Sequence, residues 1–186
     1  MTPLAEAKAE ARRAAFARRR AAHAALGAAP GAATRALADA VREAAPAGPV
    51  AVYLPIRTEI DPRPAMALLA GEGVALCVPV VQGAGLPLRF LAWTPATPLV
   101  AGAFGAQVPE GEAWVRPALV VAPLVAFDAG RMRLGYGGGF YDRTLEELGP
   151  VPAIGFAFAA QRSDAPLPRE ATDRPLSAVV TEAGRF

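Results

Sequence analysis

Cysteine is nearly absent: Cys77 is the only one, so no internal disulfide can staple the fold, and the chain is compatible with a reducing compartment. Its setting in Val74-Ala75-Leu76-Cys77-Val78 reads as a buried strand residue and not as a nucleophile. No stretch approaches the ~20 uninterrupted apolar residues of a membrane-spanning helix, so no membrane partner is expected. The first residues are rich in alanine and arginine, as targeting peptides are. Glu6 and Glu10 interrupt them, and no apolar core follows Arg18-Arg19-Arg20, so they read as part of the working protein in a cytoplasmic setting. Net charge is small, with 19 Lys plus Arg against 17 Asp plus Glu, a formal +2 and a pI near 9.1. So mild an excess suits anionic ligands without indicating nucleic acid. Interleaved cations and aromatics, which a single-stranded nucleic-acid platform needs, are missing. Two nucleotide motifs are missing as well: no glycine-rich loop ends in Lys-Ser/Thr, and Phe140 stands where the third glycine of a dinucleotide-binding turn belongs.

What remains is a chain of 186 residues that is 53% hydrophobic, enough for one well-cored domain over 1–186 and too short for two of ordinary size. Its 18 glycines and 19 prolines punctuate apolar runs and mark turns. Thr2 as cap and Pro3 in the first turn open a helix that runs to about Ala25. Strands are expected at Val50–Leu54, Val74–Val78, Leu88–Trp93, Ala118–Ala122, Ala153–Phe158 and Ala178–Thr181, with short helices at Pro64–Ala70 and Tyr141–Leu148. Such interleaving indicates an α/β sandwich around a largely parallel sheet, from which the Pro- and Gly-rich region 79–117 departs. Ala118–Ala122 is continuously apolar, as a central strand covered on both faces must be.

The segment Arg133-Leu134-Gly135-Tyr136-Gly137-Gly138-Gly139-Phe140-Tyr141-Asp142-Arg143 joins a glycine-rich turn, flanking cations and a carboxylate. Glycines let backbone N–H groups converge on an anion with no Cβ in the way, and the following helix adds the positive end of its dipole. Asp142 falls in the first helical turn, where the dipole favours a carboxylate and where it can also hold magnesium. On composition alone, a close-packing or flexible connection weighs about as much as a phosphate site. In open α/β sheets ligands bind beyond the carboxyl ends of strands, and this loop follows the 118–122 strand.

The run Val125-Ala126-Phe127-Asp128, Gly130 and Arg133 to Arg143 resembles the signature of the 5-formyltetrahydrofolate cyclo-ligase family, also called methenyltetrahydrofolate synthetases. Lys8 and Arg12 resemble its N-terminal Lys-x-x-x-Arg. Leu54 and Thr58-Glu59-Ile60 resemble its segment after the first strand. Gly155 to Gln161, Leu167-Pro168-Arg169-Glu170, Asp173 and Val180-Thr181-Glu182 resemble its C-terminal blocks. The blocks fall in the family's order across nearly the whole chain. The resemblance implies a three-layer Rossmann-like α/β sandwich with a mostly parallel sheet. It also implies ATP-dependent cyclisation of 5-formyltetrahydrofolate to 5,10-methenyltetrahydrofolate, with magnesium as cofactor and the folate and ATP as partners; a monomer is expected.

The resemblance implies roles residue by residue. Arg133, Lys8 and Arg12 become the catalytic cations. These three, with Leu134, Gly135, Tyr136, Gly137, Gly138, Gly139, Phe140 and Tyr141, bind ATP. Leu54, Glu59, Tyr136, Gly139 and Phe140 bind the folate, with Tyr141 against the same pocket and Trp93 and Phe104 as looser candidates. Asp142 and Asp173 hold magnesium. Read from the residues alone, Lys8 and Arg12 share a helix face but also suit a solvated basic helix, in which Arg13 and Arg18 to Arg20 are ordinary surface charge. Glu59 equally suits a capping acid before Pro62, and Asp173 a turn that caps local backbone. His23, on the alanine-rich helix, reads as exposed and receives no role. Phe140, Gly138 and Thr172 depart from the family pattern: many members have tyrosine at the first position, some have lysine at the second, and an aromatic or histidine is common at the third.

Two rival readings follow. A basic helix beside an anion-binding loop also fits a noncatalytic nucleotide- or RNA-binding module. An enzyme of the same fold acting on another formyl or acyl compound shares the ATP chemistry, and fold alone does not separate them.

Overall fold

A computed structural model describes residues 2–170 and 173–186. In chain order it contains α1 (Pro3–Leu26), α2 (Gly31–Ala44), β1 (Val50–Val52), α3 (Arg63–Gly71), β2 (Leu76–Val81), β3 (Leu88–Trp93), β4 (Leu99–Ala101), β5 (Gln107–Pro109) and β6 (Trp114–Val115). Then come β7 (Leu119–Pro123), β8 (Ala126–Phe127), β9 (Arg133–Leu134), α4 (Phe140–Leu148), β10 (Ala153–Phe156), β11 (Ala178–Thr181) and β12 (Gly184–Arg185).

Eight strands form one sheet in the order β12-β11-β10-β7-β1-β2-β3-β6. Neighbours from β11 through β2 pair in parallel, whereas β12, β3 and β6 run antiparallel at the edges. The mostly parallel α/β sheet is therefore as expected, and the 79–117 region leaves simple winding through the β2–β3 pair and the β4–β5 hairpin. Alternate residues of each strand face opposite layers. Val50, Val52, Leu119, Val121, Ile154 and Val180 pack with α2 and α3. Ala51, Cys77, Val120, Ala122 and Val179 share a cluster with Phe140, Leu145 and Leu148 of α4. Cys77 is fully buried, and burial pushes its thiol up to about 12, in keeping with a packing role.

Helix α1 starts as its sequence dictates, with Thr2 Oγ1 accepting from Ala5 N at 3.3 Å and Pro3 in the first turn. It lies across the end of the sheet, where Ala15 packs with Val125, Ala126, Leu134 and Leu167. Helix α2 lies in a stretch for which the sequence reading names no element. Its buried positions Ala33, Leu37, Ala40 and Val41 recur at helical spacing opposite exposed Arg35, Asp39 and Arg42, but Pro30 precedes it in place of a capping side chain. His23 is half-buried instead of exposed, with its ring 6.3 Å from that of Phe158.

Chain order along the sheet reverses beside β1: the chain first moves out through β2 and β3, then returns to β7 on the other side of β1 before adding β10 and β11. The loops leaving β1 and β7 thus flank the switch point, the position where such sheets hold ligands.

Candidate functional site

After β1 the chain folds back on itself. Tyr53 Oη donates to Ile60 O at 2.7 Å, and Ile56 N donates to Glu59 Oε2 at 2.9 Å. These bonds end the strand at Val52, short of the expected Leu54, and leave Glu59 only 4% exposed. Burial raises the Glu59 carboxyl above its ordinary range, opposed by the Ile56 N–H and by the nearby charge of Arg19. Glu59 is therefore a buried acid at the switch point, with a local backbone bond as well. Leu54 is buried in the apolar cluster on the α2 and α3 face.

After β7, the β8–β9 hairpin leads into the glycine loop. Asp128 staples this hairpin: Oδ1 accepts from Gly130 N at 2.9 Å and Met132 N at 3.0 Å, and Oδ2 from Leu167 N at 2.9 Å. Gln161 ties the neighbouring β10 end to it, donating to Leu124 O at 2.8 Å and Val125 O at 3.0 Å. The loop itself needs glycine at Gly137, where φ is +102° and a Cβ would sit 3.3 Å from Arg12 Cζ. Gly139, at φ +65°, caps α4 without any side-chain hydrogen bond, so the first-turn N–H groups are left to solvent or ligand.

Cations converge on this loop. Arg12 Nε donates to Gly135 O at 2.8 Å, Arg143 Nη2 to Gly138 O at 2.7 Å, and Arg133 pairs with Asp142 in the first turn of α4. The Arg133 side chain is 7% exposed, with Cζ 5.6 Å from the Tyr141 ring centroid. Tyr136 is exposed and its ring lies 5.4 Å from that of Phe16, whereas half-buried Phe140 faces Phe104 at 5.8 Å. Burial, then the Glu59 charge, pushes the Tyr136 phenol up to about 12, so it stays protonated at neutral pH. Tyr141 is raised by the same two causes in the same order. The Leu134 side chain is turned into the α1 cluster and its carbonyl is taken by Val125 N at 2.7 Å, so it shapes the loop from beneath.

Lys8, the only lysine of the chain, bonds Glu170 at 2.9 Å and Asp173 at 3.2 Å. Burial works against its charge, but these two carboxylates outweigh it and raise its pKa. Asp173 also accepts from Glu170 N at 2.7 Å, so it caps a local turn and holds Lys8 at once. Asp142 and Asp173 thus sit in separate ion pairs, and among the described residues no three His, Cys, Asp or Glu side chains form a metal-binding group. Thr172 lies outside the described residues. Trp93 is core, at 8% exposed.

A second expectation for α1, beside that for His23, is overturned. Arg20 is exposed and Arg18 half-buried, with its Nε donating to Ala160 O at 2.8 Å, but Arg19 is buried, with Nε donating to Thr58 Oγ1 at 3.1 Å. It belongs to the site. Ala15, Arg19 and Ala22 are the buried positions of α1, and that 4-then-3 spacing was the signal available in the sequence.

Comparison with known proteins agrees with this geometry. The sequence model described as the 5-formyltetrahydrofolate cyclo-ligase family matches residues 5–182. The 5-formyltetrahydrofolate cyclo-ligase of Escherichia coli strain K12 is 38% identical over 143 residues, 71% of this chain and 76% of its own. That of Mycolicibacterium smegmatis is 32% identical over 148 residues, 71% and 72% of the two chains. Among solved structures, the Aquifex aeolicus 5,10-methenyltetrahydrofolate synthetase superposes with a TM-score of 0.74 at 28% identity, covering 96% of this chain and 91% of the other. The Mycoplasma pneumoniae 5,10-methenyltetrahydrofolate synthetase shares the fold, with a TM-score of 0.72 at 20% identity over 94% and 98% of the chains. The chain therefore belongs to the 5-formyltetrahydrofolate cyclo-ligase family.

Proposed function

We propose that this protein cyclises 5-formyltetrahydrofolate to 5,10-methenyltetrahydrofolate at the expense of ATP, releasing ADP and phosphate, as a cytoplasmic monomer. The observation that carries this reading is the convergence of Arg12 and Arg133 on a glycine loop that opens α4 beside a buried acid.

An amide-like formyl oxygen is a poor leaving group, and phosphorylation removes that obstacle. The formyl oxygen attacks the γ-phosphorus and ADP departs. N10 then adds to the activated formyl carbon, loses its proton, and phosphate leaves as the five-membered ring closes. The protein positions and neutralises, which is the main demand of phosphoryl transfer. Arg133 supplies a planar fork for the transferring phosphoryl oxygens. Arg12 reaches the loop from α1, and Lys8 adds charge one turn earlier on the same face. The loop's backbone N–H groups and the α4 N-terminus face the remaining phosphate oxygens. Glu59 takes N–H groups of the pterin ring.

Magnesium bound with the nucleotide offsets charge on the phosphate oxygens. It needs only one or two protein carboxylates when phosphates and waters complete its shell, so the exposed Asp142 beside the loop fits, with Asp173 as the second candidate. Incubation of the purified chain with 5-formyltetrahydrofolate and magnesium should raise the near-ultraviolet band of the methenyl product only when ATP is present. ATP hydrolysis that ignores this folate and follows another formyl or acyl compound would replace the substrate in this reading. ATP binding without turnover would favour the nucleotide-binding module.

A further inference from the structure

Arg19 stands seven residues beyond Arg12 on α1, which returns it to the same face of the helix. It is 1% exposed, a state arginine rarely adopts unless paired. Its Nε is held by Thr58, and its guanidinium carbon lies 5.1 Å from the Phe16 ring centroid and 5.4 Å from that of Tyr136. Nη1, sealed from solvent, finds no hydrogen-bond partner among the described residues. A buried charged donor left unsatisfied is costly and calls for an explanation. Glu59, the adjacent residue to Thr58, is close enough for its carboxyl to feel the Arg19 charge. One buried wall thus carries a fixed carboxylate beside a fixed guanidinium with a spare N–H.

That pairing reads a particular ligand edge. A 2-amino-4-oxo ring presents an amino group, a ring N–H and a carbonyl oxygen in succession: two donors, then an acceptor. A carboxylate followed by an arginine N–H is its complement. We propose that Arg19 contacts the 4-oxo oxygen of the pterin through its free N–H while Glu59 takes the amino and ring N–H groups. This assignment rests on the 5-formyltetrahydrofolate reading above. Tyr136, exposed and set between two glycines, covers the guanidinium, so a ring that displaces the Tyr136 side chain reaches Nη1. The Phe16 ring, 5.4 Å from that of Tyr136, also packs on the guanidinium and keeps the cation in place.

The test compares two ligands on the full chain: 5-formyltetrahydrofolate and its 4-amino counterpart, each titrated by calorimetry against wild type and Arg19→Met. Wild type should prefer the 4-oxo ligand by ~10-fold or more, since a site built to donate to an oxygen rejects the analogue lacking it. Arg19→Met should bind the 4-oxo ligand ~10-fold or more weakly, lose most of that preference, and keep its ATP affinity within ~2-fold. An unchanged preference in Arg19→Met, or an equal loss for both ligands, overturns the assignment and leaves Arg19 as a strut between α1 and Thr58. Should Arg19→Met fail to fold, Arg19→Gln decides by the same criterion: reduced preference supports the contact and unchanged preference rejects it. Wild type binding neither compound would sink the folate reading and this assignment together, whereas tight wild-type binding with unaffected variants sinks the Arg19 contact alone.

Discussion

Arg133 and Asp142 pair across the glycine loop, the arginine side chain 7% exposed and the aspartate 57%. The cation is therefore held by the fold and by its neighbour, while the carboxylate keeps a face toward solvent. Replacing Arg133 by Ala should lower kcat by ~10²-fold or more, as loss of a contact to charge developing in the transition state does. Circular dichroism should remain that of the wild type. A kcat close to normal would remove Arg133 from the phosphoryl-transfer step.

For Asp142 the magnesium dependence is the readout. Asp142→Asn keeps the side chain's size but removes an anionic oxygen, so half-maximal activity should require ~10-fold more magnesium. A titration that superposes on the wild-type curve would reduce Asp142 to a helix-start residue and a partner for Arg133.

Glu59 predicts a stability effect with a definite sign. Its folded-state pKa is raised above the ordinary 4.5, chiefly by burial, so the folded protein holds that proton more tightly than the unfolded chain. The stabilising share is complete below about 4.5 and is lost as pH rises through the raised folded value. In Glu59→Gln that downward component of stability against pH should vanish, as read by thermal melts across the acidic range. KM for the folate should rise at the same time by ~10-fold or more, since an acceptor for ring N–H groups is weakened. A melt profile that keeps its slope in the variant contradicts the buried-acid account.

Much of this was legible in the sequence, and what was missed has physical causes. The strands at Leu88–Trp93 and Ala178–Thr181 match their apolar runs, because both are bounded by turn residues. The first strand ends two residues early because the Tyr53 to Ile60 bond pulls the chain into a tight loop, a tertiary event no local pattern announces. Helix α2 carries an amphipathic pattern, Leu37 and Val41 buried and Arg35, Asp39 and Arg42 exposed, but Pro30 stands where a capping side chain would have marked its start. The glycine loop, with its flanking Arg133 and Asp142, stood out because its residue types are rare together. Arg19 was hidden inside a run of three arginines, and only helical registry with Ala15 and Ala22 separates it from its neighbours.

Two residues outside the catalytic set should matter for stability. A Cβ on Gly155 would lie 2.7 Å from both Leu124 Cδ2 and Leu176 Cδ1, so Gly155→Ala should cost about 1–3 kcal/mol through overpacking. Asp128→Ala strips the acceptor from three backbone N–H groups and should cost at least about 2 kcal/mol. Urea denaturation measures both, and a loss below about 0.5 kcal/mol in either would show that the structure around that residue relaxes freely.

The most direct measurement follows an oxygen atom. 5-Formyltetrahydrofolate labelled with ¹⁸O in the formyl group, converted by the protein with ATP and magnesium, should deliver its label to the inorganic phosphate, one labelled oxygen in each phosphate formed. Unlabelled phosphate, released while the methenyl product accumulates, would contradict attack of the formyl oxygen on the γ-phosphorus and with it the role assigned to the glycine loop and its arginines.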